Sequence, residues 1–273
     1  MGIGKLTAWY FSTARDILAR GLLRIGITPN VLTIFGTLFT VAAGVFLAAA
    51  IRASGGRSAD FAWWSQSHRY YSLAALLLFA CSACDMLDGA VARIGKMSSS
   101  FGGFIDSTLD RIGDFSVWAG MTMGFALLEK PNLTFILLCL IANLNAFMIS
   151  YAKCRAEDYI DHCSVGFWKR GERFAAVLIA ALACNAASVI VLLSLTSPFT
   201  WLRRIAFTRR ALAGKNPSED PRIGGSLLEK IQPWCYPRMT LLCDIATIGN
   251  ILIIIFLRFD PAGWDLLRTW LSP

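Results

Sequence analysis

The sequence predicts an all-α integral membrane protein of one domain, residues 1–273, in which a bundle of six transmembrane helices follows an N-terminal amphipathic interfacial helix. Composition is the first reason, because 56% of the residues are hydrophobic and the mean hydropathy is +0.55. The second reason is that charged residues make up only 16% of the chain, against about 25% in soluble domains. The third reason is that apolar stretches long enough to cross a hydrocarbon core of roughly 30 Å recur along the chain.

The N-terminal region carries two local signals. Residues 1–24 mix basic and apolar side chains, which is typical of a helix lying at a membrane interface. Thr28 and Pro29 then form a helix-start signal, with Thr28 as N-cap and Pro29 in the first turn. They precede the first predicted span. The six spans are predicted at about 31–51, 71–91, 104–128, 131–151, 174–195 and 240–257.

Positive charge predicts which side of the membrane each span end faces. Eleven Lys and Arg residues fall together if the N-terminus, the turn at 93–101 and the link at 153–173 share one side, and the two short loops opposite hold only four. This asymmetry places that side in the cytoplasm, in the inner (cytoplasmic) cell membrane. The segment 198–238 disagrees, because six spans make it a basic extramembrane loop on the other side. Either this loop escapes the rule or the number of spans differs there, and residues 200–212 fit a short basic helix on the membrane.

Net charge indicates the class of binding partner, and the cysteines indicate whether disulfides or a metal site are expected. A formal charge of +8 on so apolar a chain indicates anionic lipids and phosphorylated substrates, and no nucleic acid. Eight cysteines, most of them inside apolar runs, fit small packed hydrophobes better than a disulfide framework. The pair Cys81 and Cys84 lacks a second pair or a nearby histidine for a metal site.

Four carboxylates at the mouths of two apolar segments are the feature that composition does not explain. Asp85 and Asp88 share one face of the second predicted span, and Asp106 and Asp110 share one face of the third. A helical hairpin would bring all four together, where they repel one another unless cations bind or some stay protonated. Ligands that are all oxygen indicate Mg²⁺ or Mn²⁺.

The spacing D-x2-D-G-x2-A-R-x8-G-x3-D-x3-D over residues 85–110 resembles the signature of the CDP-alcohol phosphotransferases at every fixed position. The resemblance implies transfer of a phospho-alcohol from a CDP-linked lipid donor, such as CDP-diacylglycerol, to a hydroxyl acceptor with release of CMP, inside a membrane-embedded homodimer of six-helix bundles. It also implies that the four carboxylates bind two metal ions and that Asp110 is the catalytic base. The nucleotide-binding residues that it implies are Pro29, Asn30, Thr33, Asp85, Gly89, Ala92, Arg93 and Gly102.

A second resemblance concerns the acceptor. Residues 150–157, Gly166 and residues 170–173 are similar to the fourth-to-fifth helix region of prokaryotic phosphatidylinositol phosphate synthases, whose basic groups hold the phosphate of inositol 1-phosphate. The corresponding residues here are Lys153, Arg155, Arg170 and Arg173. The chain departs from that branch at Cys154 and Gly171, where Ala and Pro are expected. Glycerol 3-phosphate, as in a phosphatidylglycerophosphate synthase, therefore stays open as the acceptor, and the basic residues can also be read as membrane-side anchors.

Two other classes compete with the enzyme. A small cation transporter would also keep buried acids, but usually near the bilayer midplane on broken helices and often in repeated halves. Here the acids lie near helix ends on one hairpin. An inactive relative that only binds a nucleotide lipid is the other alternative, and the complete set of acids argues against it.

Overall fold

The computed structural model describes residues 3–58, 64–214, 241–261 and 263–271, and all regular secondary structure in these ranges is helical. The helices are α1 (Ile3–Arg24), α2 (Pro29–Ala53), α3 (Gln66–Ile94), α4 (Ser100–Ala126), α5 (Leu133–Glu157), α6 (Arg170–Leu182), α7 (Ala186–Thr196), α8 (Pro198–Leu212), α9 (Leu241–Phe256) and α10 (Leu266–Leu271). The all-α prediction is confirmed for this part of the chain.

The starts of the long helices follow sequence signals. Pro29 opens α2 behind an extended Thr28, although the Thr28 side chain makes no capping bond. Ser65, Ser99 and Asn132 cap α3, α4 and α5, each accepting a hydrogen bond from a backbone N–H three residues later. These bonds satisfy N–H groups that a helix start leaves open.

The core of the bundle forms around α2, which packs along both α3 and α4. A Cβ on Gly44 would collide with the Ser116 carbonyl oxygen, and a Cβ on Gly120 would collide with the Gly44 carbonyl oxygen. The two backbones therefore touch at this crossing, as small residues permit in membrane helices. Around it lie buried side chains such as Leu47 and Met121.

We expect the Gly120→Ala variant to be less stable than the wild type by about 1–3 kcal/mol, because the added methyl group overpacks a backbone contact that cannot yield as a side chain would. Thermal unfolding in detergent measures this. Gly249→Ala is the matched control, since nothing lies within 4 Å of a Cβ built there. Equal melting temperatures for the two variants would contradict the close crossing.

The fifth predicted span, 174–195, is wrong as a single helix. The chain turns at residues 183–185 and separates α6 from α7, with Cys184 at a φ of +52°. The Asn185 side chain donates to the carbonyl oxygens of Ile254 and Leu257. The residues on both sides of this turn are apolar, so the sequence gives no signal for the turn. Hydrogen bonds to a distant segment stabilise the turn.

The first part of the basic extramembrane loop predicted at 198–238 is helix α8, which confirms the basic helix predicted at 200–212 and corrects the loop there. Thr200, Arg203 and Arg204 on this helix are buried. Arg204 donates from Nε to the Val165 carbonyl oxygen at 3.1 Å and also bonds to the carbonyl oxygen of Ile149 near the end of α5. Because the α6–α7 turn reverses the chain, α8 ends on the same side of the bundle as the acidic motif. Residues 215–238 of the predicted loop lie outside the described residues.

We call the end of the bundle that carries the α3–α4 turn the motif end, and the opposite end the far end. The C-terminal segment binds the far end: α9 packs against α6 and α7, and α10 packs against α5. Asn132 donates to the Pro261 carbonyl oxygen, and Thr134 Oγ1 lies 3.3 Å from Asp265 Oδ1. The outward side chains of α9, including Ile245 and Phe256, are exposed and apolar.

Four stretches of the described chain are long and apolar enough to cross a membrane: 29–53, 66–94, 133–157 and 186–212. Helix α4 is long but carries four charged residues between positions 106 and 114, namely Asp106, Asp110, Arg111 and Asp114, and α6 has only 13 residues. Helix α1 packs against α3 through buried Ala19 and partly buried Leu22 and Leu23. The predicted count of six spans and the interfacial position of α1 therefore stay predictions.

Candidate active site

Helices α3 and α4 carry the acidic residues at the motif end. Asp85 and Asp88 lie in the last turns of α3, and Asp106 and Asp110 lie in the first turns of α4. Since both helices pack chiefly against α2, a gap remains between their motif-end turns. The carboxylates face this gap.

Three of the carboxylates form a compact group. Asp85, Asp88 and Asp106 each offer an oxygen, and these oxygens all lie within 4.8 Å of one another. Thr33 Oγ1 donates to Asp88 Oδ2 at 3.0 Å and so orients that carboxylate. Asp106 Oδ1 is buried and accepts no hydrogen bond in the described structure. A buried carboxylate oxygen without a partner, beside two more acids, fits the donor set of a hard divalent cation.

Asp110 lies beside this group and is paired with an arginine from another helix. Arg170, the first residue of α6, lies 2.7 Å from Asp110 Oδ1 and donates to Asp85 Oδ1 at 3.0 Å. The Arg170 side chain is 24% exposed and that of Asp110 is 16% exposed. Arg170 therefore joins the two halves of the acidic motif and balances part of their charge.

A cavity of about 250 Å³ opens next to the acids, between the starts of α2 and α4 and the end of α3. Asp88 and Asp106 form one wall of it. Seven of the eight predicted nucleotide-binding residues line it: Pro29, Asn30, Thr33, Gly89, Ala92, Arg93 and Gly102. Asp85 instead lines a narrow adjoining cavity with Asp110 and Arg170. The structure thus gathers residues from three helices, 77 positions apart at the extremes, around one space large enough for a flat ring.

The four basic residues predicted for the acceptor do not form one group. Arg170 faces the acids, as described above. Lys153 and Arg155 are exposed on the last turns of α5, where they pair with Glu157 at 3.8 Å and Asp158 at 2.8 Å. Arg173 is 4% exposed and turned into the protein. The structure brings one of the four into direct contact with the acidic motif.

The model of the CDP-alcohol phosphatidyltransferase family matches residues 26–206 of the chain. The chain belongs to this family. The archaetidylinositol phosphate synthase of Pyrococcus horikoshii is 34% identical over 197 residues, which is 71% of this chain and 90% of that protein. The phosphatidylinositol phosphate synthase of Mycobacterium tuberculosis is 35% identical over 173 residues, covering 63% of this chain and 70% of its own length.

Two crystal structures of the Mycobacterium tuberculosis phosphatidylinositol phosphate synthase resemble the fold at 30% identity and cover 71% of this chain. One, with CDP-DAG bound, has a TM-score of 0.57 and is itself 92% covered. The other, in complex with manganese and citrate, has a TM-score of 0.58 and is 88% covered. This CDP-alcohol phosphatidyltransferase is therefore an enzyme by family, and its residues 207–273, with α9 and α10, extend beyond the family match.

The sequence left open whether Arg111 and Asp114 form a structural ion pair or support the acids, and the structure pairs them at 3.4 Å. Asp114 continues the acidic face of α4 by one turn, a signal that the sequence carries, and its partners Arg170 and Arg173 come from α6. Arg111 bonds to Ser150 Oγ on α5. The sequence offers no signal for buried Arg204, since hydropathy places that segment in a loop at the other end of the bundle.

Proposed function

We propose that this enzyme transfers the phosphatidyl-type group of a CDP-linked lipid, of the CDP-diacylglycerol type, to a hydroxyl of inositol 1-phosphate and releases CMP. The observation that carries the proposal is the convergence of the carboxylate group of Asp85, Asp88 and Asp106 with the adjoining cavity that the nucleotide-binding residues line. A nucleotide in that cavity would have its phosphates beside the acids. The enzyme thus makes a phospholipid or its precursor.

The lipid part of the donor has a path out of the site. A groove of about 220 Å³ between α3 and α6 begins at Asp85 and Arg170 and continues past Phe174 and Leu178. Beyond Arg170 the groove is lined mostly by apolar side chains, which suit an acyl or isoprenoid chain. Its charged end lies beside the acids. A donor with a CDP head and a lipid tail therefore fits the two cavities together.

The residues at the centre would divide the work as follows. Asp85, Asp88, Asp106 and Asp110 would hold two Mg²⁺ or Mn²⁺ ions, which neutralise the phosphate oxygens and polarise phosphorus. Asp110 would accept the proton of the acceptor hydroxyl. The hydroxyl oxygen forms a bond to the β-phosphorus, and the bond between that phosphorus and the CMP oxygen breaks. A carboxylate that also binds metal is a weak base, so positioning and charge neutralisation carry much of the rate.

The acceptor is inferred from the charge of the site and from the relatives. Arg170 places a guanidinium at the edge of the acids, in ion pairs with Asp85 and Asp110, and we propose that the acceptor phosphate binds to its remaining N–H groups. The Pyrococcus relative is an archaetidylinositol phosphate synthase and the Mycobacterium relative a phosphatidylinositol phosphate synthase. Their names share inositol phosphate and differ in the lipid, so inositol 1-phosphate is the acceptor that both support.

Release of CMP by the purified protein in detergent tests the function. The assay combines CDP-diacylglycerol and Mn²⁺ or Mg²⁺ with inositol 1-phosphate, glycerol 3-phosphate, serine or inositol in turn. We expect turnover with inositol 1-phosphate at least about tenfold faster than with any other acceptor. Faster turnover with glycerol 3-phosphate would make the protein a phosphatidylglycerophosphate synthase, and no CMP with any acceptor would refute the function.

Replacing Arg170 with Ala should raise the KM for inositol 1-phosphate by about tenfold or more, because a guanidinium that binds the acceptor phosphate is removed. The KM for the CDP-lipid should change less. Arg155→Ala is the comparison, since Arg155 is exposed and paired with Asp158 at the end of α5. If Arg155→Ala raises the acceptor KM more than Arg170→Ala does, the acceptor phosphate lies closer to the end of α5.

The placement in the membrane is part of the proposal. The six spans would be α2, α3, α4, α5, α6 and the continuous pair α7–α8, with α1 at the interface and α9 beside α6 and α7. With this arrangement the arginines of α8 join the basic residues of the motif end, which removes the disagreement with the charge rule. The active site would then face the cytoplasm from the inner membrane.

A homodimer is supported by the outer face of α5. Exposed apolar residues recur there at alternating intervals of four and three, the spacing of a helix seam. They are Leu133, Leu137, Leu140, Leu144, Phe147 and Tyr151. We propose that a second copy packs on this face, and a mass in detergent of about twice the 30.0 kDa of the chain, after subtraction of the micelle, tests it.

A further inference from the structure

A buried ion pair joins α4 to α6 next to the acidic motif. Asp114 lies one turn beyond Asp110 on α4, and its Oδ2 accepts a hydrogen bond from Arg173 at 3.0 Å. Arg173 also donates to the Trp168 carbonyl oxygen at 3.1 Å and is almost completely buried. Its guanidinium is therefore engaged inside the protein and is not presented to a ligand.

The same carboxylate reaches the arginine that faces the acids. Asp114 Oδ1 lies 3.7 Å from Arg170 Nε, while the two terminal nitrogens of Arg170 contact Asp85 and Asp110. Arg170 and Arg173 are three residues apart and so share one side of the first turn of α6. Asp114 lies between them: its Oδ1 faces Arg170, and its Oδ2 accepts from Arg173 and, at 3.4 Å, from Arg111 on its own helix. Asp114 therefore holds the first turn of α6 next to the acids of α3 and α4.

We infer that Asp114 and Arg173 are positioning residues, whose buried pair sets where the Arg170 guanidinium lies and so sets the affinity for the phosphorylated acceptor. The inference rests on the function proposed above. It gives Arg173 a different role from the direct phosphate contact that the family resemblance implies. Without Asp114, Arg170 Nε loses its carboxylate neighbour, and the guanidinium is left to turn about its contacts with Asp85 and Asp110, which changes the N–H groups that it presents to the acceptor.

Kinetics of the Asp114→Asn variant test the inference. The KM for inositol 1-phosphate should rise about tenfold, while kcat stays within about threefold. The KM for the CDP-lipid and the Mn²⁺ concentration for half-maximal activity should not change, because the donor and metal residues are intact. The control is Asp260→Asn, the same substitution in the exposed ion pair with Arg57 at the far end. It should leave every constant unchanged.

A double variant separates positioning from folding. Asp114→Asn leaves Arg173 charged and buried without its carboxylate, which lowers stability. Asp114→Asn combined with Arg173→Gln removes both charges, so the melting temperature should return toward the wild-type value while the acceptor KM stays about tenfold raised. Asp114→Glu, which keeps the charge, should keep the KM within about threefold of wild type.

The outcomes are distinct. A wild-type acceptor KM in a stable double variant would overturn the inference, and failure of both variants to fold would make the pair a folding element and overturn it as well. If the wild type is active and Asp114→Asn changes nothing, this inference alone falls. If the wild type releases no CMP with any acceptor, the proposed function falls and takes this inference with it.

Discussion

Replacing Asp110 with Asn should lower kcat for CMP release by at least about a hundredfold, the lower end of the effect of removing a general base. Asparagine has nearly the same shape but cannot accept a proton from the acceptor hydroxyl, and it is a poorer metal ligand. The cavity proposed for the nucleotide is lined by other residues, so the variant should still bind the CDP-lipid. CMP release measures the first effect, and the rise in melting temperature on adding CDP-lipid measures the second.

Asp16→Asn is the control for this variant, because Asp16 lies on α1 and pairs with its neighbour Arg15. It should have wild-type kcat. Turnover of Asp110→Asn within about threefold of the wild type would remove Asp110 from the mechanism. Loss of CDP-lipid binding together with turnover would instead show that Asp110 contributes to forming the donor site.

Replacing Asp106 with Asn should weaken Mn²⁺ binding by about tenfold or more and abolish turnover. In the presence of a metal chelator, however, the melting temperature of the variant should be at least that of the wild type. Asp106 Oδ1 accepts no hydrogen bond in the described structure, and its charge is repelled by Asp85 and Asp88 nearby. Removing that charge relieves repulsion without breaking a bond to Oδ1.

The measurement for Asp106→Asn is thermal unfolding with increasing Mn²⁺. A ligand at a hundred times its Kd stabilises a protein by about 2.7 kcal/mol, so the wild type should melt well above its temperature in chelator and the variant should not. Asp114→Asn, two turns further along the same face of α4, should keep the wild-type response. Equal stabilisation of the wild type and Asp106→Asn by Mn²⁺ would place the metal elsewhere.

The acidic motif shows how far local spacing can predict a site. Asp85 and Asp88, and likewise Asp106 and Asp110, are held by the period of their own helices, so their common faces follow from the sequence. The nucleotide-binding residues came from the family resemblance, and that they line one cavity depends on the packing of α2, α3 and α4. Spacing did not predict that Asp110 pairs with Arg170, because their contact depends on how α6 packs.

The errors lie where hydropathy was the only guide. Residues 183–185 contain no proline or glycine, and the turn there is stabilised by Asn185 bonding to a segment that follows 69 or more residues later. The missed turn put the arginines of α8 at the wrong end of the bundle. Arg170 and Arg173 looked equivalent in the sequence, yet one faces the acids and the other is buried against Asp114.

The sequence by itself determined the membrane class, the helical hairpin and the set of acids, because composition and helical period act within a few turns of the chain. Only the tertiary structure decided which basic groups meet those acids and which end of the bundle each helix reaches. Those outcomes depend on packing and hydrogen bonds between residues far apart in the chain, and no local pattern contains them.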